Sequence, residues 1–341
     1  MTLKEISEKI TSDEYGFLYY NENLCENLIL VGLGGSHAYG TNTEESDLDI
    51  RGIATNTRHN ILVGKDFEQV VDVKADTTIY SFDKMIKLLC ACNPNCIELV
   101  GLKPEHYLYI TDVGQYIVDH ASMFLSKRAI HSFGGYANAQ LRRLDNKAAK
   151  DADQAEREKH ILESLKNASY SFKDRYSDAP SDAIKLYTDE SSRDEFEEEI
   201  FMDIVLHHYP LRDYAGMISE YQSIIRQYNK CGRRNDRAYT HGKIAKHMMH
   251  LVRLYLMCFD ILIDGKVVTY REKEHDMLMD IRNGKFLDEN NQPKKVFYEL
   301  VDELDSKLAY WKEHTDLPDS PDMSKVEALV EKVNGDICGK E

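Results

Sequence analysis

Hydrophobic residues in the first hundred positions follow the short patterns of β-strands. Leu28–Leu33 is a continuous apolar run that ends in glycines, which is typical of a buried strand. Leu48–Ala54 alternates between apolar and polar residues and predicts a second strand. Phe67–Val73 and Thr77–Tyr80 are β-rich and predict a third and a fourth strand. A helix is predicted next, over Ser81–Cys92.

After about residue 112 the pattern changes, and long helical periods replace the β-rich runs. The chain is therefore predicted to be an α+β protein. It should have a small α/β domain over residues 1–111 and a larger α-helical domain over residues 112–341. The helices predicted in the second region cover residues 113–125, 131–146, 152–176, 195–208, 211–230, 237–264, 272–283, 295–313 and 324–333.

Composition narrows the class of protein. The first ten residues carry no apolar signal-peptide core, and Leu251–Ile263 is too short and too charged to span a bilayer. Seven cysteines, an odd number, favour reduced thiols, so we expect a soluble cytoplasmic protein with no membrane partner. The net charge of −16 argues against a general nucleic-acid coat protein, although it leaves room for a local basic groove.

Two motifs near the first strands carry the candidate chemistry. Gly34 and Gly35 follow the first strand and let the backbone approach a ligand closely, and Ser36 comes next, near a predicted helix start. Asp47 and Asp49 follow, the first of them eleven residues after the serine. If both lie on a strand, their carboxylates project from one face, as Mg²⁺ bound with a nucleotide requires.

The segments Gly34–Thr41 and Ser46–Gly52 together resemble the DNA polymerase beta superfamily of nucleotidyltransferases, whose hallmark is Gly-Ser followed by Asp-x-Asp. The fuller string is similar to the RlaP-type branch, which is associated with RNA-repair gene clusters. The resemblance covers about residues 25–325. Its further motifs are Asp76–Ser81, Asn93–Asn95 with Glu98 and Leu99, Lys246–Arg253 and Ile281–Lys285.

The resemblance implies a mixed sheet with flanking helices and transfer of a nucleoside monophosphate from an NTP to an acceptor hydroxyl. It implies that Asp47 and Asp49 bind two Mg²⁺ ions, or Mn²⁺ in their place. It also implies a third carboxylate on a neighbouring strand, which helps bind the metal and takes the proton of the attacking hydroxyl. Asp76 matches the branch best, Asp72 is the alternative, and Glu98 is a weaker third choice.

A basic helix is the main candidate in the second region. Lys243, Lys246, His247, His250 and Arg253 recur at spacings of three and four within residues 237–264 and so share one helical face. This face could pair with acidic residues of the same protein. The resemblance favours binding instead, and the predicted nucleotide-binding residues are Gly34, Gly35, Ser36, Arg51, Lys246, His250 and Arg253.

Other basic positions carry weaker expectations. Arg233, Arg234 and Arg237 add charge at the start of the basic helix. Arg282 lies before a glycine in a helix C-cap pattern, and only the resemblance suggests that it holds substrate.

Three functions are compatible with these motifs. The first is nucleotidyl transfer to a nucleic-acid end, with RNA favoured as the acceptor. The second is the same chemistry on a small molecule or a protein hydroxyl, which the net charge of −16 slightly favours. The third is a non-catalytic nucleotide-binding or antitoxin module. The sequence leaves the NTP, the acceptor and the oligomeric state open.

Overall fold

The computed structural model describes residues 1–65, 67–148, 154–176, 183–190, 198–230, 243–289 and 292–339. The strands are β1 (Leu28–Leu33), β2 (Ile50–Ala54), β3 (Gln69–Asp72), β4 (Thr77–Ser81), β5 (Tyr107–Ile110), β6 (Ile184–Glu190) and β7 (Glu198–Ile204). The α-helices are α1 (Leu3–Ile10), α2 (Phe17–Tyr20), α3 (Gly35–Tyr39), α4 (Arg58–Val63), α5 (Phe82–Cys90), α6 (Pro94–Ile97), α7 (Asp112–Asp119), α8 (Arg128–Ala148), α9 (Gln154–Arg175), α10 (Leu211–Lys230), α11 (Lys243–Phe259), α12 (His275–Arg282), α13 (Lys295–His314) and α14 (Met323–Gly339).

A five-stranded mixed sheet carries the motifs. Its strand order is β3-β4-β2-β1-β5, with β1 antiparallel to both of its neighbours. β2 and β4 run parallel, and Ile50 pairs with Thr77. The prediction of an α+β fold with a mixed sheet is therefore confirmed.

Sequence patterns explain the central strands. β1 is apolar along its length and almost wholly buried. β4 alternates, with Thr77, Ile79 and Ser81 buried and the residues between them less so. Ser81 also ends the strand, because its Oγ accepts the Lys84 N–H and caps α5.

Several elements differ from the sequence predictions, and β6 and α4 were not predicted at all. β2 begins at Ile50 rather than Leu48, so the two aspartates lie just before the strand. β5 was not predicted. The helix predicted over residues 195–208 is wrong, because Glu198–Ile204 is the strand β7, which pairs antiparallel with β6 from Ile184↔Ile204 to Glu190↔Glu198. β6 lies outside residues 195–208, so the spacing within that range did not reveal the pairing.

Contacts divide the chain into two compact units. The first contains residues 1–137, 249–286 and 294–341, and its core lies on the five-stranded sheet. The second contains residues 138–248 and 287–293, and its core joins α9 and α10 to the β6–β7 hairpin. The predicted division into an α/β domain and an α-helical domain at residue 111 stays a prediction. In the described ranges, no helix combines the length and apolar character needed to cross a membrane.

Candidate active site

The turn after β1 holds the side chain of Asp49. Gly34 donates its N–H to the Asp49 carbonyl at 2.7 Å, and α3 begins at the next residue. Gly35 has a φ of +52°. A Cβ atom at Gly34 would lie 2.9 Å from Asp49 Oδ1, and one at Gly35 would lie 2.8 Å from Asp49 Oδ2. The turn needs glycine both for its backbone conformation and for the room that Asp49 takes.

The two aspartates of the second motif alternate with buried residues. Asp47 is exposed, Leu48 is buried, Asp49 is partly exposed and Ile50 is buried. This alternation is that of extended chain, and it places both carboxylates on one side with the apolar residues in the core. Ile50 donates its N–H to the Asp76 carbonyl at 3.1 Å, which brings the start of β4 beside the motif.

Arg51 connects Asp49 to a buried glutamate. Its Nη2 lies 3.4 Å from Asp49 Oδ2, its Nε lies 3.5 Å from Glu98 Oε1, and its Nη1 donates to the Asn95 carbonyl at 3.1 Å. Burial alone would lower the pKa of Arg51, but the charges of Glu98 and Asp49 raise it above its ordinary value. The contacts described for Arg51 are with protein groups, and its predicted contact with a nucleotide stays a prediction.

The three candidates for the third carboxylate have different surroundings. Asp72 Oδ1 accepts the N–H groups of Lys74 and Ala75, each at 2.9 Å, so this carboxylate organises the β3–β4 turn. Asp76 ends that turn with a φ of +41° and is exposed. Glu98 is 4% exposed and accepts a hydrogen bond from the Tyr39 hydroxyl. Burial raises the pKa of Glu98 above its usual range, although Arg51 and Arg253 oppose this.

A cavity of about 530 Å³ lies between these segments. Asp47 and Asp76 both line it, whereas Asp49 and the glycine turn do not. The rest of its wall comes from the N-terminal segment, from the loop before β2 and from the β3–β4 turn. Its lining residues are Met1, Lys9, Glu14, Tyr15, Ser46, Asp47, Leu48, Val73, Lys74, Ala75 and Asp76.

No protein-only metal site is complete at these carboxylates. Within the part of the chain that the structure describes, no three His, Cys, Asp or Glu side chains lie close enough together to hold a metal ion. A metal at this site would therefore need ligands from a substrate or water in addition to the aspartates.

Residues 5–172 match the family described as RlaP, RNA repair pathway DNA polymerase beta family. This segment belongs to the RlaP family. The RlaP segment contains both motifs and all three candidates for the third carboxylate. It ends before Lys246–Arg253 and Ile281–Lys285, so these motifs lie outside the matched residues.

One curated relative adds to the RlaP match. An uncharacterized 38.9 kDa protein in the nrdC-mobD intergenic region of Enterobacteria phage T4 is 27% identical over 129 residues. The alignment covers 34% of this chain and spans only 38% of that relative's length. No solved structure matches the chain. The family therefore supports a function like that of nucleotidyltransferases, without naming a substrate.

Arg253 lies against the RlaP segment, and His250 contacts Arg253. Arg253 is 7% exposed, and its Cζ lies 3.4 Å from the centroid of the Tyr39 ring. Its Nη2 lies 2.7 Å from His250 Nδ1. Arg253 thus packs beneath α3, the helix that the glycine turn begins. Nucleotide contact by His250 and Arg253 stays a prediction, and Tyr39, which joins Arg253 to Glu98, was not singled out from the sequence.

Other basic residues of the predicted face are placed differently. Lys246 is exposed on α11 and belongs to the second compact unit. The shared face therefore includes an exposed lysine and a buried arginine, and nucleotide contact by Lys246 stays a prediction. Arg233, Arg234 and Arg237 lie outside the described residues.

Arg282 reaches the loop that precedes the aspartates of the RlaP segment. Its Nη2 donates to Ser46 Oγ at 3.1 Å and lies 3.5 Å from Thr43 Oγ1. Its Nη1 is buried and has no hydrogen-bond partner among the described residues. Burial lowers the pKa of Arg282, and no ion pair of this residue is described. The C-cap pattern did not reveal this role, because the contact crosses more than two hundred residues of sequence.

Proposed function

We propose that this protein is a metal-dependent nucleotidyltransferase that transfers a nucleoside monophosphate from an NTP to a hydroxyl of an RNA end. One arrangement carries the proposal. Asp49 rests on the glycine turn, while Asp47 and Asp76 face one cavity beside it. The triphosphate would lie on the side of Asp49, and the acceptor would lie on the side of the cavity that Asp47 and Asp76 line.

The available ligands fit Mg²⁺, with Mn²⁺ as the alternative. Carboxylate oxygens are the hard ligands that Mg²⁺ prefers, and Mg²⁺ usually takes one or two of them together with substrate phosphates and water. Asp47 and Asp49 would hold it. Asp76 is proposed as the third carboxylate and would have to move closer to join them, because among the described residues no three such side chains lie close enough together to bind one ion. When bound, the ion would neutralise charge that develops on the phosphoryl oxygens.

Residues of the chain are proposed to bind the substrate, move the proton and orient Asp49. Backbone N–H groups around Gly34, Gly35 and Ser36 are proposed to bind the triphosphate. Asp76 takes the proton of the acceptor hydroxyl. The acceptor oxygen then bonds to the α-phosphorus, the bond from that phosphorus to the β-phosphate oxygen breaks, and pyrophosphate leaves. Arg51 orients Asp49 through their 3.4 Å contact and is paired on its other side with Glu98.

RNA is the favoured acceptor because the matched family is described by an RNA repair pathway. A small-molecule or protein hydroxyl is the second candidate, and the net charge of −16 supports it. A binding or antitoxin module without turnover is the outcome that would remain if no acceptor is labelled.

The test uses the full chain with each α-³²P-labelled NTP, Mg²⁺ or Mn²⁺, and RNA, DNA or no added acceptor. We expect label on RNA in a denaturing gel, and we expect Asp49→Asn to abolish it. Glu44→Gln is the matched control, because Glu44 is an exposed carboxylate of the same loop. Label on the protein itself would favour a protein acceptor. NTP binding without label on any acceptor would overturn the proposal of RNA-end transfer.

A further inference from the structure

The residues of the glycine turn, which are proposed to bind the triphosphate, do not line the cavity beside Asp47 and Asp76. The carboxylate nearest the glycine turn is Asp49, which lies outside the cavity lining. Its charged lining side chains are two lysines and three carboxylates, Lys9, Lys74, Glu14, Asp47 and Asp76. A wall that carries carboxylates as well as lysines suits a ligand of lower charge than a triphosphate.

We propose that this cavity binds the terminal nucleotide of the acceptor strand, with Lys74 contacting the phosphate that joins it to the preceding nucleotide. The inference rests on the proposed function and assigns the acceptor side of the same site. In-line displacement requires the attacking oxygen to lie opposite the leaving pyrophosphate. A cavity on the Asp47–Asp76 side, away from the glycine turn, meets this requirement.

Lys74 is the cation best placed for such a contact. Lys9 is engaged with Glu14, whose Oε1 lies 3.3 Å from its Nζ. Lys74 is exposed at the β3–β4 turn, and no ion pair is described for it. Val73, its neighbour, is 88% exposed and offers an apolar surface at the cavity rim. A lysine beside an apolar side chain fits one phosphate and the face of one nucleobase.

The turn that carries Lys74 is fixed before any ligand arrives. Asp72 Oδ1 accepts the N–H groups of Lys74 and Ala75, and Thr77 Oγ1 donates to the Ala75 carbonyl at 2.9 Å. The Asp76 carbonyl accepts from Ile50. These bonds hold Lys74 and Asp76 at fixed positions along one turn. A hydroxyl at Asp76 and a phosphate at Lys74 can therefore belong to one nucleotide end.

The cavity has room for one small ligand. About 530 Å³ lies within the range of pockets that enclose one small-molecule ligand. It would receive a single terminal unit of an unpaired strand rather than a duplex.

Steady-state transfer to a single-stranded RNA oligomer tests this assignment. We compare the wild-type chain with Lys74→Ala, Lys74→Glu and Lys74→Arg, and use Lys266→Ala as the control for loss of an exposed lysine. We expect KM for RNA to rise about tenfold in Lys74→Ala and further in Lys74→Glu, with KM for NTP unchanged and Lys74→Arg close to wild type. Removing one phosphate contact should also reduce the salt slope of log(1/KM) for RNA by about 0.7.

The two failures are distinguishable. If the wild-type chain labels no acceptor, the proposed function fails. If it labels RNA but Lys74→Ala leaves KM for RNA and its salt slope unchanged, the cavity assignment is wrong. A rise in KM for NTP alone would place the nucleotide in the cavity and would also overturn it. Transfer only to a phosphate-free small molecule, unaffected by Lys74→Glu, is incompatible with a strand end in this cavity.

Discussion

Arg253 stacks on Tyr39, with its Cζ 3.4 Å from the centroid of the ring. The Tyr39 hydroxyl donates to Glu98, Glu98 pairs with Arg51, and Arg51 contacts Asp49. A line of contacts thus runs from α11 to an aspartate of the candidate active site. Because Arg253 is buried, we infer that its first role is to support α3.

Arg253→Met should therefore lower the free energy of unfolding by about 2 kcal/mol, because it removes a desolvated cation–π contact. Urea unfolding measures the change. Lys246→Ala on the exposed part of the same helix is the control, and we expect it to stay within about 0.5 kcal/mol of wild type. An Arg253→Met protein of unchanged stability with a raised KM for NTP would contradict the supporting role.

Gly35→Ala should abolish transfer, because the new Cβ would meet Asp49 Oδ2 at 2.8 Å and displace it. The positive φ adds about 1–2 kcal/mol of destabilisation. Gly64→Ala is the matched control, since Gly64 has a φ of +65° and open space around its would-be Cβ. Both variants should lose similar stability, and only Gly35→Ala should lose activity. Equal activity in the two variants would show that transfer does not need the room that Gly35 leaves for the Asp49 side chain.

Asp72 and Asp76 can be told apart by replacement with asparagine. An asparagine at position 72 keeps an oxygen that accepts the two turn N–H groups, so Asp72→Asn should retain activity within about threefold, whereas Asp72→Ala should not. Asp76→Asn should lower kcat at least about 100-fold, because it removes the proposed base. Measured kcat values for the three variants decide between them. Loss of activity in Asp72→Asn with activity retained in Asp76→Asn would reverse the assignment.

Replacing Arg282 should lower activity without lowering the stability of the fold. A half-buried guanidinium without a described ion pair is unfavourable in the folded chain, so Arg282→Gln should leave the urea midpoint unchanged or raise it. The same variant should lower kcat/KM about tenfold or more, because Ser46 loses the donor that holds the loop before Asp47. Lys285→Gln, which breaks only the pair with Asp280, is the control. Reduced stability with full activity would contradict this prediction.

Acid should destabilise the fold through two buried histidines. Burial lowers the pKa of His37 and of His106 below the ordinary value of about 6.5. The unfolded chain then binds more protons than the folded chain as pH falls through about 6.5, so stability is full above that pH and is lost below it. Urea midpoints at pH 7.5 and 5.5 measure the loss. His106→Gln should narrow the difference between the two midpoints, and an unchanged difference would exclude His106 as a contributor.

The sequence was sufficient to predict the parts of the site that are local. β1 has the predicted bounds, and a helix begins at the glycine turn as expected, whereas the two aspartates lie just before β2 rather than on it. A glycine turn and the end of a strand can be recognised from a few consecutive residues. The residues that contact them lie far away in the sequence and cannot be recognised in this way. For this reason the sequence did not reveal the contacts of Arg51 with Glu98 or of Arg282 with Ser46.

β7 shows the same limit for secondary structure. Its glutamates favour helix, and Ile200 and Ile204 have helical spacing, so the segment was predicted as helix. Pairing with β6 makes it a strand, and this pairing runs from Ile184↔Ile204 to Glu190↔Glu198. Tertiary context decided where local preference was ambiguous.

The parallel pairing of β2 with β4 has a consequence for the time at which activity can appear. Ile50 is registered with Thr77, and a slip of one residue would turn Asp76 to the opposite face of the sheet. Parallel strands cannot pair through a tight hairpin, so this register forms only after the intervening chain has folded across. On the ribosome, Asp76 would thus remain apart from Asp47 and Asp49 until β4 has emerged.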